Sequence, residues 1–179
     1  MTISEKIDTR NVIDFYKHWS IEAIKGDLDV KRHNFSVVIS NDFHDMNIGT
    51  VIRNANAFLA REVIIVGRKK YDRRGTVGTH LYENLRHVRC VDDLQIDPGS
   101  VVIGIDNIEG AEPIEKFTWT ERHIYLVFGQ ETVGIQEPLL SRCDHVCYIT
   151  QYGSVRSLNV GVASGIAMYA LCSHRYARI

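Results

Sequence analysis

Ile124-Tyr125-Leu126-Val127-Phe128-Gly129-Gln130-Glu131-Thr132-Val133-Gly134 decides the fold class: five apolar residues in a row run straight into a polar loop bracketed by two glycines. An unbroken apolar run of that length reads as a strand buried on both faces, as in a mainly parallel sheet. In open parallel sheets ligands sit beyond the carboxyl ends of strands, where glycine lets the backbone come close.

Similar β-branched runs lie at 35–39, 63–66, 101–105 and 146–149. Two of them also end in polar, glycine-containing loops: Ile105 leads into Asp106 to Gly110, and Ile149 into Thr150 to Asn159. Segments of helical character at 48–59 and 158–171 alternate with the strands, so the expected class is α/β, a mainly parallel sheet with helices on both faces. Ahead of the first strand, Val12, Phe15, Tyr16, Trp19 and Ala23 recur at helical spacing, which predicts an amphipathic helix over 9–25 with the polar run 26–33 as its exit. Repeats and low-complexity tracts are absent, so the chain divides into an N-terminal helical extension, 1–33, and one domain, 34–179.

Bulk properties narrow the function. A chain of 179 residues with 45% hydrophobic and 24% charged side chains suits one compact domain. No run reaches the roughly 18 to 20 apolar residues of a membrane span, and the N-terminus lacks the apolar core of a signal peptide, so no membrane association and a cytoplasmic location are expected. The four cysteines form no C-x-x-C pair, which predicts reduced thiols. Cys143, His145 and Cys147 would share one face of a strand and so form a candidate zinc set; the competing reading, small sulfur side chains packed in a buried strand, is preferred, and no metal is expected.

A net charge of -1 excludes a strong global pull on polyanions. Nucleic-acid binding must rest on a local cluster, and 68–74, RKKYDRR, holds five basic residues around Tyr71. Lys69, Lys70, Arg73 and Arg74 are the candidate phosphate contacts. A nucleotide-dependent oxidoreductase lacks its dinucleotide fingerprint, and no P-loop occurs.

Three segments carry a more specific signal. Asn47, Gly49 and Arg53 stand as N-x-G-x-x-x-R at the start of a predicted helix, with Asn47 placed to cap it. Phe128, Gly129, Glu131 and Gly134 stand as F-G-x-E-x-x-G at a strand exit, and Ser157-Leu158-Asn159-Val160-Gly161-Val162-Ala163 follows the third loop. In order and spacing these segments resemble the SpoU, or TrmH-like, branch of the SPOUT RNA methyltransferases, from about Phe35 to the C-terminus.

The resemblance implies a C-terminal trefoil knot, an exception to the general absence of knots, S-adenosylmethionine as cofactor, a homodimer, and methylation of a ribose 2'-hydroxyl in RNA, with tRNA as first expectation and rRNA as second. It assigns donor binding to Ile105, Gly129, Ile149, Gln151, Ser157, Leu158 and Asn159. The catalytic positions it implies are Asn47, Arg53, Glu131, Ser157 and Asn159, with Arg53 also gripping RNA. Where relatives often carry I-P-M, this chain has Ile149-Thr150-Gln151, which leaves a backbone contact to adenine intact. The family's separate N-terminal RNA-binding domain, found in some members, is not seen, which shifts RNA capture onto the domain and the basic loop.

The donor's methyl is already activated by a sulfonium, so alignment and one proton transfer are the protein's tasks. A guanidinium is normally charged at any ordinary pH, which favours an electrostatic role for Arg53 over that of a base. The alternative from another class is a catalytically inactive RNA-binding protein of the same fold.

Overall fold

The computed structural model describes residues 8–42 and 47–177. Its sheet has seven strands: β1 (Phe35–Asn41), β2 (Val63–Gly67), β3 (Leu85–Val88), β4 (Val101–Ile105), β5 (Glu112–Pro113), β6 (Ile124–Phe128) and β7 (His145–Tyr148). Their order is β3-β2-β1-β6-β4-β7-β5, and every pairing is parallel. The expected α/β class with a mainly parallel sheet is thus observed.

Alternation explains the unbroken apolar runs. Val37, Ile39, Ile65, Ile103, Leu126 and Phe128 point to one core; Val38, Ile64, Val66, Val102, Tyr125 and Val127 point to another on the opposite face. The first core is covered by α2 (Asn47–Ala57) and α3 (Val160–Arg175). Against the second lie 3-10 turns at Val91–Asp93 and Leu140–Arg142, with Leu94, Ile135 and Leu139 packed beneath. The expectation of helices on both faces is corrected there. Pro98-Gly99 and Pro138 interrupt these crossings before a helix can propagate.

The N-terminal part also departs from expectation. In place of one helix over 9–25 there is a 3-10 turn at Asp14–Tyr16 and a separate helix, α1 (Ile21–Asp29). His18 takes a left-handed φ of 66°, which breaks any continuous helix, and Ser20 starts the new one by accepting a hydrogen bond from the Ala23 amide at 3.1 Å. Helix α1 runs through Gly26 to Asp29, beyond the expected exit. Tyr16, Ile24 and Leu28 pack on Tyr82 and Leu59.

Below them Arg32 donates to Glu83 Oε1 at 2.5 Å, to the Ala60 carbonyl at 2.7 Å and to the Tyr82 carbonyl at 3.0 Å. Burial pushes the Glu83 carboxyl up to about 7, against the pull of Arg32, so the pair is costly to bury yet well satisfied. Asn56 of α2 completes it with a 3.2 Å bond to Glu83 Oε2.

The register brings the functional loops level. Ile39 and Ile105 both sit opposite Phe128, and Cys147 sits opposite Ile105, so the carboxyl ends of β1, β4, β6 and β7 open onto one rim.

Candidate active site

Loops following β4, β6 and β7 line a cleft of about 310 Å³ on that rim. This is at the lower end of the size of small-molecule pockets, roughly 300 to 1,000 Å³. Ile105, Gly129, Glu131, Ile149, Gln151, Ser157 and Leu158 all border it, as the three strand exits suggested.

The β6 loop is shaped by glycine. Gln130 and Gly134 exchange backbone bonds of 3.1 and 2.8 Å, folding the chain back so tightly that a Cβ on Gly129 would overlap the Gly134 carbonyl. Gly134 has a φ of +69°, and a side chain there would strike the Asp106 carboxylate. Asp106 itself accepts from the Ile135 amide at 2.7 Å and from its neighbour Asn107 at 2.7 Å, locking two of the loops together. The side chain of Asn107 reaches the third loop, donating to the Arg156 carbonyl at 3.1 Å.

At the mouth the three sequence segments meet. Asn47 Nδ2 donates to Glu131 Oε2 at 2.5 Å; Asn159 Nδ2 donates to Asn47 Oδ1 at 2.9 Å and to Glu131 Oε2 at 3.1 Å. Asn159 Oδ1 meanwhile caps α3, accepting from the amides of Gly161 at 2.9 Å and Val162 at 3.2 Å. One asparagine therefore ties the helix start to the carboxylate. Asn47 is the first residue of α2, next to residues outside the described ones, and its amide turns to Glu131.

Helices α2 and α3 are stapled by Asn54, whose Nδ2 donates to the Gly161 carbonyl at 2.8 Å and to Ser164 Oγ at 3.0 Å. Asn54 and Asp106 belong to none of the three sequence segments, yet they build the site. Their partners are 107 and 29 positions distant in sequence, so only the fold reveals them.

Other expected residues lie apart. Arg53 is exposed, does not border the cleft, and makes no hydrogen bond or ion pair among the described residues. Six positions beyond Asn47, it stands roughly 9 Å further along the helix. Lys69, Lys70, Arg73 and Arg74 are likewise exposed and outside the cleft. Arg74 is bound by Asp72, through contacts of 2.9 and 2.6 Å to Oδ2. Tyr71, at the centre of the basic loop, packs against the main core, where burial raises its phenol pKa.

Close packing holds this basic loop beside α2. A Cβ on Gly49 would lie 2.9 Å from both the Asp72 carbonyl and Gly75 Cα, so Gly49 admits the loop backbone to the first turn of the helix.

The zinc alternative does not assemble. Cys143 precedes β7 and packs on one face of the sheet, while Cys147 is buried on the other, and burial pushes both thiols up to about 12. Among the described residues no three metal-capable side chains come together.

The cleft fits the expected donor. Gln151 Oε1 is buried at its wall with no hydrogen-bond partner among the described residues, an acceptor suited to an amine such as that of adenine. The glycine-shaped backbone around Gly129 leaves room at the strand exit.

The site is thus a cleft at the carboxyl edge of a parallel sheet with an Asn-Glu-Asn cluster at its mouth. Residues 34–169 match the SpoU rRNA Methylase family, and the chain belongs to it. It is 33% identical over 135 residues to the 23S rRNA (guanosine-2'-O-)-methyltransferase RlmB of Acinetobacter baylyi, covering 73% of this chain and 51% of that one. With RlmB of Coxiella burnetii it shares 34% identity over 140 residues, covering 73% and 55%. The chain thus spans about half the length of these curated relatives. Among solved structures it resembles the SpoU methyltransferase AviRb from Streptomyces viridochromogenes in complex with the cofactor AdoMet, with a TM-score of 0.70, 26% identity, and coverage of 82% of this chain and 60% of that one.

Proposed function

We propose that this chain is an S-adenosylmethionine-dependent methyltransferase acting on a ribose 2'-hydroxyl of RNA, without a metal, as a cytoplasmic homodimer. The observation that carries the reading is the hydrogen-bonded meeting of Asn47, Glu131 and Asn159 at the mouth of a glycine-shaped cleft. Similarity to two enzymes named for guanosine 2'-O-methylation of 23S rRNA supports the reaction and sets rRNA beside tRNA as the substrate to test. No helix among the described residues is long and apolar enough to cross a membrane, which agrees with the cytoplasm.

Backbone groups at Ile105, Gly129, Ile149 and Leu158, with the Gln151 amide, would hold the adenosine part of the donor. When bound, the donor supplies a methyl group already activated by positive sulfur. Ser157, which lines the cleft, and Asn159, held at its mouth by Asn47 and Glu131, would lie towards the donor's reacting end, and Arg53 would grip the RNA phosphate beside the target ribose.

The path of 149–159, laid against both earlier loops and tied by the Asn107 bond to Arg156, supports the trefoil knot. The family match beginning at residue 34 supports a division into an extension, 1–33, and a methyltransferase domain, 34–179. For the homodimer the support is an apolar stripe on α3: Val162, Ile166 and Tyr169 are 52%, 37% and 64% exposed at helical spacing, a surface a second copy would cover.

The test is methyl transfer from labelled S-adenosylmethionine to ribosomal and transfer RNA with excess chelator present, followed by mapping of 2'-O-methyl sites. Activity under chelation is expected. Loss of activity restored by zinc overturns the metal-free reading; donor binding with no transfer to either RNA favours the inactive RNA-binding alternative.

The basic loop gives a second expectation. Replacing Lys69, Lys70, Arg73 and Arg74 together by alanine should weaken RNA binding and leave donor binding intact. Each lost phosphate contact flattens the log-log salt dependence by about 0.7 to 0.9. Arg74, already paired with Asp72, should contribute less than Lys69 when changed singly. An unchanged slope in filter-binding titrations means the loop is merely solvated.

A further inference from the structure

Asn41 ends β1 at the carboxyl edge of the sheet onto which the cleft also opens, two residues beyond Ile39 and level with Gly67 of β2. It is fully buried. Both hydrogen bonds of its Nδ2 go to one segment, 2.6 Å to the Arg68 carbonyl and 3.1 Å to the Lys70 carbonyl. The backbone carbonyl of Asn41 in turn accepts from the Arg68 amide at 2.8 Å. Because the two side-chain partners are carbonyls, only the donor end of the amide can face them, which fixes its orientation. Oδ1 has no partner among the described residues, so the bonds that offset burying this amide are those of Nδ2.

The two bonds land on the carbonyls either side of Lys69, inside the basic run 68–74. Further along, Tyr71 packs against the main core, and the Asp72 carbonyl and Gly75 lie against Gly49 of α2. The run is thus fastened in succession to β1, to the core and to α2, instead of looping free into solvent. Its contact on α2 is two residues from Asn47, less than one turn of helix from the cleft mouth. Lys69 is exposed and makes no hydrogen bond or ion pair through its side chain among the described residues. Its ammonium is available while its backbone is held on both sides.

The geometry assigns Asn41 as a positioning residue for RNA: without touching the substrate, it presents Lys69 to a phosphate near the cleft mouth. This rests on the methyltransferase reading above. A cation on a mobile loop loses binding energy to the ordering of its own backbone, whereas one fixed in advance does not. Lysine gains from such fixing, since its long side chain already loses rotamer freedom when it grips a phosphate. Charge identifies the occupant as a polyanion. Arg68, Lys69 and Lys70 put three positive charges on the fastened stretch, and Asp72, the single acidic residue of the run, is engaged by Arg74.

Asn41→Ala should weaken RNA binding about 10- to 30-fold, the effect of returning roughly one residue's backbone ordering to the binding step. The KM for RNA should rise by the same factor, with turnover at saturating RNA and donor affinity both within about twofold of wild type. A double-mutant cycle ties the effect to the lysine: in a Lys69→Ala background, Asn41→Ala should cost no more than about a further twofold in RNA affinity. Asn41→Ser keeps a short donor and should fall between wild type and Asn41→Ala. Should Asn41→Ala fail to fold, Asn41→Ser carries the same cycle.

Filter binding with ribosomal and transfer RNA, donor calorimetry and steady-state kinetics on the same preparations supply the readouts. An Asn41→Ala protein that binds RNA within about twofold of wild type, or whose loss adds in full to that of Lys69→Ala, overturns the assignment and leaves the methyltransferase reading standing. A loss of donor affinity as large as the loss for RNA in both Asn41 variants also overturns it, by making Asn41 a residue of the fold alone. A wild type that binds donor but neither RNA overturns the parent reading, and this assignment with it.

Discussion

Arg53→Ala should lower turnover about a thousandfold while leaving donor affinity within about threefold of wild type. The magnitude is that of removing a fixed donor which stabilises charge developing in a transition state. The separation of effects follows from position: Arg53 is exposed on α2, outside the cleft, and no partner among the described residues holds it to the donor loops. Arg53→Lys should recover only part of the rate, since it keeps the charge and loses the planar fork that binds phosphate at two points. Donor affinity by calorimetry and single-turnover rates separate the two terms. A loss of donor affinity beyond about 100-fold, roughly 2.7 kcal/mol, would place Arg53 in the donor pocket and sink the assignment.

A mixing experiment extends this to the dimer. If Arg53 of one protomer serves a donor held by the other, equal amounts of Arg53→Ala and Asn159→Ala chains should recover roughly a quarter of wild-type activity. Half the dimers are then mixed, and each has one intact site. No recovery from chains shown to exchange would confine each site to one protomer.

β1, β2, β4 and β6 were legible because each is buried on both faces, which writes an unbroken apolar run, while in β7 only Cys147 is fully buried. β1, β2, β4, β6 and β7 fall within two residues of expectation. β3 was not legible: Leu85-Arg86-His87-Val88 is an edge strand whose Arg86 pairs with Glu62, so the sequence there looks like a polar loop. β5, two residues long, writes no pattern at all. The start of α1 was misplaced because Ser20 and the backbone of His18 set it, whereas the apolar spacing over 9–25 continues across the break.

At the site the motif residues were readable as a set, and their bonding was not. Asn47, Glu131 and Asn159 converge, yet that Asn159 caps α3 with one end of its amide and holds the cluster with the other emerges only from the fold.

Gly129→Ala should have the other large effect, loss of donor binding by more than about 100-fold together with a destabilisation of about 3 kcal/mol. The added methyl would fall on the Gly134 carbonyl and close to the Ile135 amide, both backbone atoms with no side-chain freedom to yield. Neither end of the loop can shift alone. Gly134 is held by its paired bonds to Gln130, and Ile135 by the Asp106 carboxylate. Moving the loop would also pull Glu131 from Asn47 and Asn159, coupling the cleft wall to the cluster at its mouth. Gly153→Ala is the control on the neighbouring loop, where a Cβ meets nothing within 4 Å; it should bind donor normally and be as stable as wild type or up to about 1 kcal/mol more stable. Urea unfolding and donor calorimetry on both variants decide the matter. A Gly129→Ala protein that binds donor within a few-fold of wild type would mean that the loop opens easily, and that the cleft is not shaped by this turn.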